Sequence, residues 1–251
     1  MTYQEILASA RENMNKCKAC PVCNGKACSN NIPGPGSKGI GDTAMRNYEK
    51  WREIRVNMDT ISDVATPDTT LELFGKSFRF PFFAGPVGAV VAHYGDKHND
   101  KSYNDVLVKA CAEGGIAAFT GDGLDGTVMQ VACEAIAASN GMGVPTVKPW
   151  NLETIEAKME QVKASGSFAV AMDIDAAGLP FLKGMNPPAG AKSVEQLSEI
   201  AKMAGKPFIV KGVMTVKGAL KAKEAGAAGI VVSNHGGRVL DQCAATAEVL
   251  C

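Results

Sequence analysis

The chain has 251 residues, with 26 lysines and arginines against 26 aspartates and glutamates. That length allows one α/β barrel or two smaller domains, and the balanced charge, with no basic run, argues against a nucleic-acid partner. The start, Met1 to Glu5, lacks a charged-then-apolar signal pattern, and no apolar run reaches a membrane-spanning length, so a cytoplasmic protein is expected.

Residues 2–16 read as a short helix, followed by Cys17-Lys-Ala-Cys20-Pro-Val-Cys23-Asn-Gly-Lys-Ala-Cys28. In a reducing compartment eight cysteines point to metal binding or free thiols before disulfides. The C-x2-C-x2-C-x4-C spacing puts four thiolates within reach of one centre, and it is close to a bacterial ferredoxin run. A [4Fe–4S] cluster and a four-cysteine zinc site both fit. The plainer alternative is four reduced thiols in a flexible leader. Metal is the expectation, because half of the cysteines fall in this one stretch. Asn31 to Gly41 is a loop dense in glycine and proline, so the cysteine-rich leader is placed at 1–42 and a second region at 43–251.

Thr43 to Arg55 reads as a helix, and from Phe80 strand and helix alternate with short links, the pattern of a parallel sheet. Strands are expected at Phe80–Pro86, Gly115–Thr120, Val144–Pro149, Phe168–Asp175, Pro207–Gly212 and Ala228–Ser233. Helices are expected at Lys101–Glu113, Thr127–Ser139, Leu152–Ser165, Ser193–Ala204 and Val216–Ala225. No G-x-G-x-x-G follows the first strand, which argues against a Rossmann sheet. Polar residues close most strands instead, as in a (β/α)8 TIM barrel with its site at the C-terminal strand ends. About six of the eight β/α units are present, so the barrel is read as incomplete.

The strand ends carry the chemistry. After the last apolar run come His235 and Arg238, three residues apart on a glycine-loosened turn. The imidazole can take a proton near neutral pH, and the guanidinium can hold a carboxylate or oxyanion. Lys211, inside an apolar strand, needs a negative partner to be buried. Asp173 and Asp175 alternate onto one face of their strand, and Asp173 is also a candidate cap for the segment that follows.

The stretch Ser233-Asn-His-Gly-Gly-Arg238-x-Leu-Asp241 closely resembles the active-site signature of the FMN-dependent α-hydroxy acid dehydrogenases and oxidases, the glycolate and lactate oxidase type. The resemblance runs over roughly residues 46–250. It implies an FMN-dependent oxidoreductase that converts a 2-hydroxy acid, or a similar small molecule, to the 2-oxo product. His235 becomes the base, Asp175 its orienting partner, and Arg238 the holder of the substrate's carboxylate. Lys211 is implied to stabilise the reduced flavin. Pro86, Val87 and Gly88, Thr120, Lys148 and Ser233 are implied around the ring, with Trp150 as an aromatic substrate wall. His93 is read as structural, and His98 as a solvated loop residue.

Departures from the family pattern are equally specific. No tyrosine stands near the Gly/Pro loop, Tyr48 lying later in the helix. Lys148-Pro-Trp150 replaces Gln-Leu-Tyr, and a second arginine is absent, with Lys183 the nearest cation. The chain is read as C-terminally truncated, which implies weak flavin binding by these residues alone and self-association into a homo-oligomer when complete. The alternative functions are a non-catalytic fragment or subunit of a larger flavoprotein, and a flavin-dependent isomerase on the same barrel.

Overall fold

Residues 1–182 and 184–250 are described in a computed structural model. Helix α1 (Tyr3–Asn13) starts from a capping box in which Thr2 and Glu5 satisfy each other's backbone N–H groups. It stops short of residue 16. Helix α2 (Asp42–Glu53) follows the Gly/Pro loop. A small antiparallel hairpin, β1 (Leu71–Leu73) and β2 (Lys76–Phe78), precedes the barrel and was not expected from the sequence.

The alternating part then runs α3 (Val90–Tyr94), α4 (Asp100–Glu113), β3 (Ala118–Thr120), α5 (Thr127–Ala138), β4 (Gly143–Val147) and α6 (Leu152–Ala164). It continues with β5 (Val170–Asp173), α7 (Val194–Ala204), β6 (Phe208–Val213), α8 (Val216–Glu224), β7 (Gly229–Val232) and α9 (Thr246–Leu250). The strands form one parallel sheet in the order β3-β4-β5-β6-β7, part of an incomplete (β/α)8 barrel. Each helix returns the chain to start the next parallel neighbour, so all C-terminal strand ends gather on one face.

The strand expected at Phe80–Pro86 does not form. Only Ala84 bridges to Ala118, donating to Ala117 O at 3.1 Å and accepting from Phe119 N–H at 2.9 Å. Pro81 and Pro86 lack the N–H donors a ladder needs, so one rung survives. The other five strands form at the expected places, with β4 starting one residue early at Gly143 and β6 ending one residue late at Val213.

The core lies between sheet and helices. Met159, Val162, Ile200, Phe208 and Val210 are among its fully buried members, and every residue of β4 is buried. Such burial on both faces explains the near-continuous apolar strands. At the β7 edge Ile230 is 40% exposed. Among the described residues no helix is long and apolar enough to cross a membrane.

Candidate active site

The turn after β7 is built by tertiary clamps. The Asn234 side chain exchanges hydrogen bonds with Asn47 of α2 at 2.8 and 2.9 Å and donates to Ala244 O at 3.0 Å. Asp241 accepts from the backbone of Ile40 and Thr43, at the start of α2, where a carboxylate is favoured by the helix dipole. Held at both ends, the intervening residues reach conformations a free chain avoids. His235 sits at φ 57°, the left-handed region, with its N–H on Ser233 Oγ at 3.1 Å.

That geometry aims the imidazole at β5. His235 Nδ1 lies 2.9 Å from Asp175 Oδ1 and 3.3 Å from Asp173 Oδ1. A carboxylate only accepts, so Nδ1 carries the proton and Nε2 is left as a base. The parallel register sets Asp173 beside Lys211, whose Nζ is 2.7 Å from Asp173 Oδ1 and 3.8 Å from Asp175 Oδ1. Lys148 Nζ approaches the other Asp173 oxygen at 3.5 Å. Burial works to raise the Asp173 pKa, but the His235 hydrogen bond and the charges of Lys211, His235 and Lys148 outweigh it. The carboxyl is held well below its usual range. Asp175 moves the other way, because burial raises its pKa, the bonds and charges of His235 and Lys211 offset this only in part, and the neighbouring Asp173 charge adds to the rise.

Gly212 makes this packing feasible. It lies at an irregularity in the β6–β7 ladder with φ +105°, and a Cβ there would stand 2.6 Å from Asp175 Cγ. The trio Asp173, Asp175 and His235 brings three metal-type ligand atoms within 4.8 Å of one another. The Lys211 ammonium already supplies the cation there, so an ion pair is the simpler account.

The cluster faces a cavity of about 1160 Å³. Thr146, Lys148, Asp173, Lys211, Ser233, His235 and Arg238 line it, together with Pro86 to Ala89 and Val91 to Tyr94. The Thr146 Oγ1 atom is buried without a hydrogen-bond partner, as are Thr120 Oγ1 and Asp175 Oδ2.

Arg238 is held differently from the expectation. Its Nη1 donates to the carbonyls of Gly34 and Gly36 in the Gly/Pro loop, and Nη2 is 3.3 Å from His93 Nδ1. His93 Nδ1 also accepts from Gly34 N–H at 3.1 Å. Burial, with the Arg238 charge beside it, drops the His93 pKa to about 4, which keeps the ring neutral and able to accept. His93 is therefore part of the cavity wall, and it positions Arg238.

Several expected positions move. Trp150 is fully buried and does not line the cavity, because its indole N–H is fixed on Asp122 Oδ2 at 2.6 Å. Thr120 is buried behind the wall, and Asp175 stands behind His235. Asp173 makes no cap; its side chain is spent on Lys211. The four cysteines Cys17, Cys20, Cys23 and Cys28 carry free thiols, but among the described residues no three cysteine sulfurs fall within 4.8 Å of one another. His98 is exposed, as expected. Lys183, the proposed stand-in for the second arginine, lies outside the described residues.

Sequence reasoning missed Thr146 and Tyr94. Thr146 was findable, since it lies two residues before Lys148 and shares its face of β4. Tyr94 brings a phenol to the cavity from a short helix that has no sequence signal.

Comparison with known proteins agrees with this architecture. A family model described as FMN-dependent dehydrogenase matches residues 35–182 and 183–251. An L-lactate oxidase of Lacticaseibacillus rhamnosus is 25% identical over 241 residues, covering 84% of this chain and 63% of the relative. A peroxisomal (S)-2-hydroxyacid oxidase of Arabidopsis thaliana is 52% identical over 59 residues, 24% of this chain and 15% of its own length. Among solved structures, a lactate oxidase of Pediococcus acidilactici superposes with a TM-score of 0.73 at 23% identity, over 98% of this chain and 69% of that one. A mandelate oxidase with (S)-4-hydroxymandelic acid gives 0.73 at 18% identity, over 98% and 74%. The chain thus spans less than two thirds of the length of the lactate oxidase relative.

Proposed function

We propose that this chain, which belongs to the FMN-dependent dehydrogenase family, binds FMN in the cavity and oxidises a small 2-hydroxy acid to its 2-oxo product. The observation that carries the reading is the contact of His235 Nδ1 with Asp175 Oδ1 at 2.9 Å, on the wall of a cavity that also holds Lys211.

The residues present fit the flavin. The orphaned Thr146 hydroxyl and the ammonium groups of Lys148 and Lys211 offer donors to an electron-rich ring edge, and Pro86 to Gly88 offer backbone opposite. Ser233 completes the set on the His235 side. Lys211 is paired closely with Asp173, whereas Lys148 stands 3.5 Å from the other Asp173 oxygen, and this looser pairing leaves an ammonium for an anionic reduced ring. When bound, FMN supplies the two-electron acceptor.

The chain's own residues manage the proton and the substrate. Asp175 fixes the imidazole tautomer and steadies the imidazolium once His235 Nε2 has taken the substrate's proton. Arg238 presents its remaining N–H groups to the substrate's carboxylate, with the Gly34 and Gly36 carbonyls holding the guanidinium in place. The same reading places a cysteine-rich leader at 1–42, the barrel at 43–251, and a self-associating protein in the cytoplasm.

The test is anaerobic photometry of the protein with FMN. Saturable binding, followed by bleaching with one of a panel of (S)-2-hydroxy acids, is expected. A flavin that stays oxidised with every hydroxy acid, or no flavin binding at all, would overturn the proposal.

A further inference from the structure

The cavity chemistry makes no use of the four leader thiols, and the leader is not a loose tail. Lys16 Nζ donates to the carbonyls of Val91 and Ala92 at 3.0 and 3.3 Å, and Tyr3 Oη donates to Pro21 O at 2.9 Å. Beyond the last thiol, Ser29 forms a parallel bridge to Ser37. The cysteines are thus carried by chain docked on the rim of the candidate site.

Two local turns suit a metal-thiolate site. Ala19, buried between the first two cysteines, has φ 42° and turns its N–H back onto Cys17 Sγ at 3.4 Å. An amide aimed at the sulfur two residues earlier offers a hydrogen bond to a metal-bound sulfur. Gly25, at φ +80°, starts the 3₁₀ turn Lys26–Cys28, and a Cβ there would stand 2.9 Å from Ala44 Cβ. The fourth cysteine is thereby carried in against α2.

We propose that Cys17, Cys20, Cys23 and Cys28 bind one four-iron, four-sulfur cluster at the rim of the cavity. Iron is favoured over zinc on two grounds. All four ligands come from one short run with a ferredoxin-like spacing, whereas zinc sites more often join two separated pairs. Zinc would also need its sulfurs about 3.8 Å apart, as a tetrahedron with bonds of about 2.3 Å requires. No three cysteine sulfurs among the described residues come within 4.8 Å of one another. A cube gives each thiolate its own iron at a separate corner and accepts the wider spacing. The cluster would neighbour Tyr94 and Arg238, both on the cavity wall: Lys16, next to Cys17, donates its N–H to Tyr94 O at 3.4 Å, and Arg238 donates to Gly36 O, where a Cβ would stand 2.6 Å from the Cys28 carbonyl oxygen. Arg238 and Lys16 supply positive charge to offset the cluster's negative charge.

The site is independent of the flavin reading and is tested without turnover. The full chain is reconstituted anaerobically with ferrous iron and sulfide, with zinc in a parallel sample. About four irons and four sulfides per chain are expected, with a broad visible absorbance that dithionite bleaches. Cys20→Ser with Cys23→Ser should abolish the iron, whereas Cys243→Ser should keep it. If the double variant loses its circular dichroism, thiol alkylation of the wild-type chain decides. The cluster should protect Cys17, Cys20, Cys23 and Cys28 from iodoacetamide until a chelator strips the iron, while Cys243 reacts throughout. Zinc retained in place of iron, no metal at all, iron in the folded double variant, or no protection would each overturn the proposal.

Discussion

Two buried carboxylate clusters stand at the strand ends of this barrel, and they differ in what is left over. In the first, Asp122, which borders the cavity, accepts four bonds, from Gly123 N–H, Lys148 N–H, Trp150 Nε1 and Lys158 Nζ, at 2.8, 3.1, 2.6 and 2.8 Å. Its side chain is fully buried with no acceptor capacity left, and the cluster pins β3 to β4 and α6. At the cavity, Asp173 and Asp175 share Lys211, Lys148 and His235 unequally, and Asp175 Oδ2 has no partner. A satisfied network holds structure together, whereas one with spare valence facing a cavity is available for chemistry.

The sharpest way to separate the two is to remove the cavity base. His235→Gln is expected to lower turnover by about 10²–10⁴-fold, while flavin binding, read by fluorescence quenching, is kept. Turnover near the wild-type rate would take His235 out of the mechanism and erase the distinction from this side.

The structural cluster is tested by Lys158→Met, which leaves Asp122 buried without its cation. Breaking a buried pair from one side costs about 3–5 kcal/mol. Urea unfolding should show a loss of that size. A loss below about 1 kcal/mol would mean that water reaches Asp122 and that the two clusters are more alike than they look.

The smallest effect lies between the regions, at His93. Its folded pKa of about 4 is below the ordinary 6.5, so the unfolded chain binds the proton more readily. Stability from the neutral ring is therefore complete above about pH 6.5 and is lost as the pH falls towards 4. His93→Asn keeps a hydrogen-bond acceptor without titrating. Between pH 7 and 4.5 the wild type should lose on the order of 1–2 kcal/mol relative to the variant, after allowance for solvent screening. Parallel melting curves for the two proteins would remove His93 from the loop's docking.

What the sequence determines by itself is whatever depends on near neighbours along the chain. The apolar runs ending at Thr120, Val147, Asp173, Val213 and Val232 are short and bounded by turns, so the order of strands and helices was legible. The strand expected to reach Asp175 stops at Asp173, and Asp175 stands in the 3₁₀ turn Ile174–Gly178 that follows, but the His235–Arg238 signature did point to the imidazole that meets it. The exception was local as well, because Pro81 and Pro86 were written plainly in the strand that failed to form.

What only the tertiary structure decides is which partner each polar group takes. Trp150 read as a substrate wall until Asp122, 28 residues away, proved to claim its N–H. Arg238 is held by two carbonyls of a loop 202 and 204 residues upstream, which nothing near it in the chain announces. Lys211 read as needing a negative partner, and strand register supplied Asp173 beside it. A buried donor must be paired, but the energy of a hydrogen bond or ion pair depends on distance in space and not along the chain. The sequence therefore names the groups that need partners, and the fold alone chooses among them.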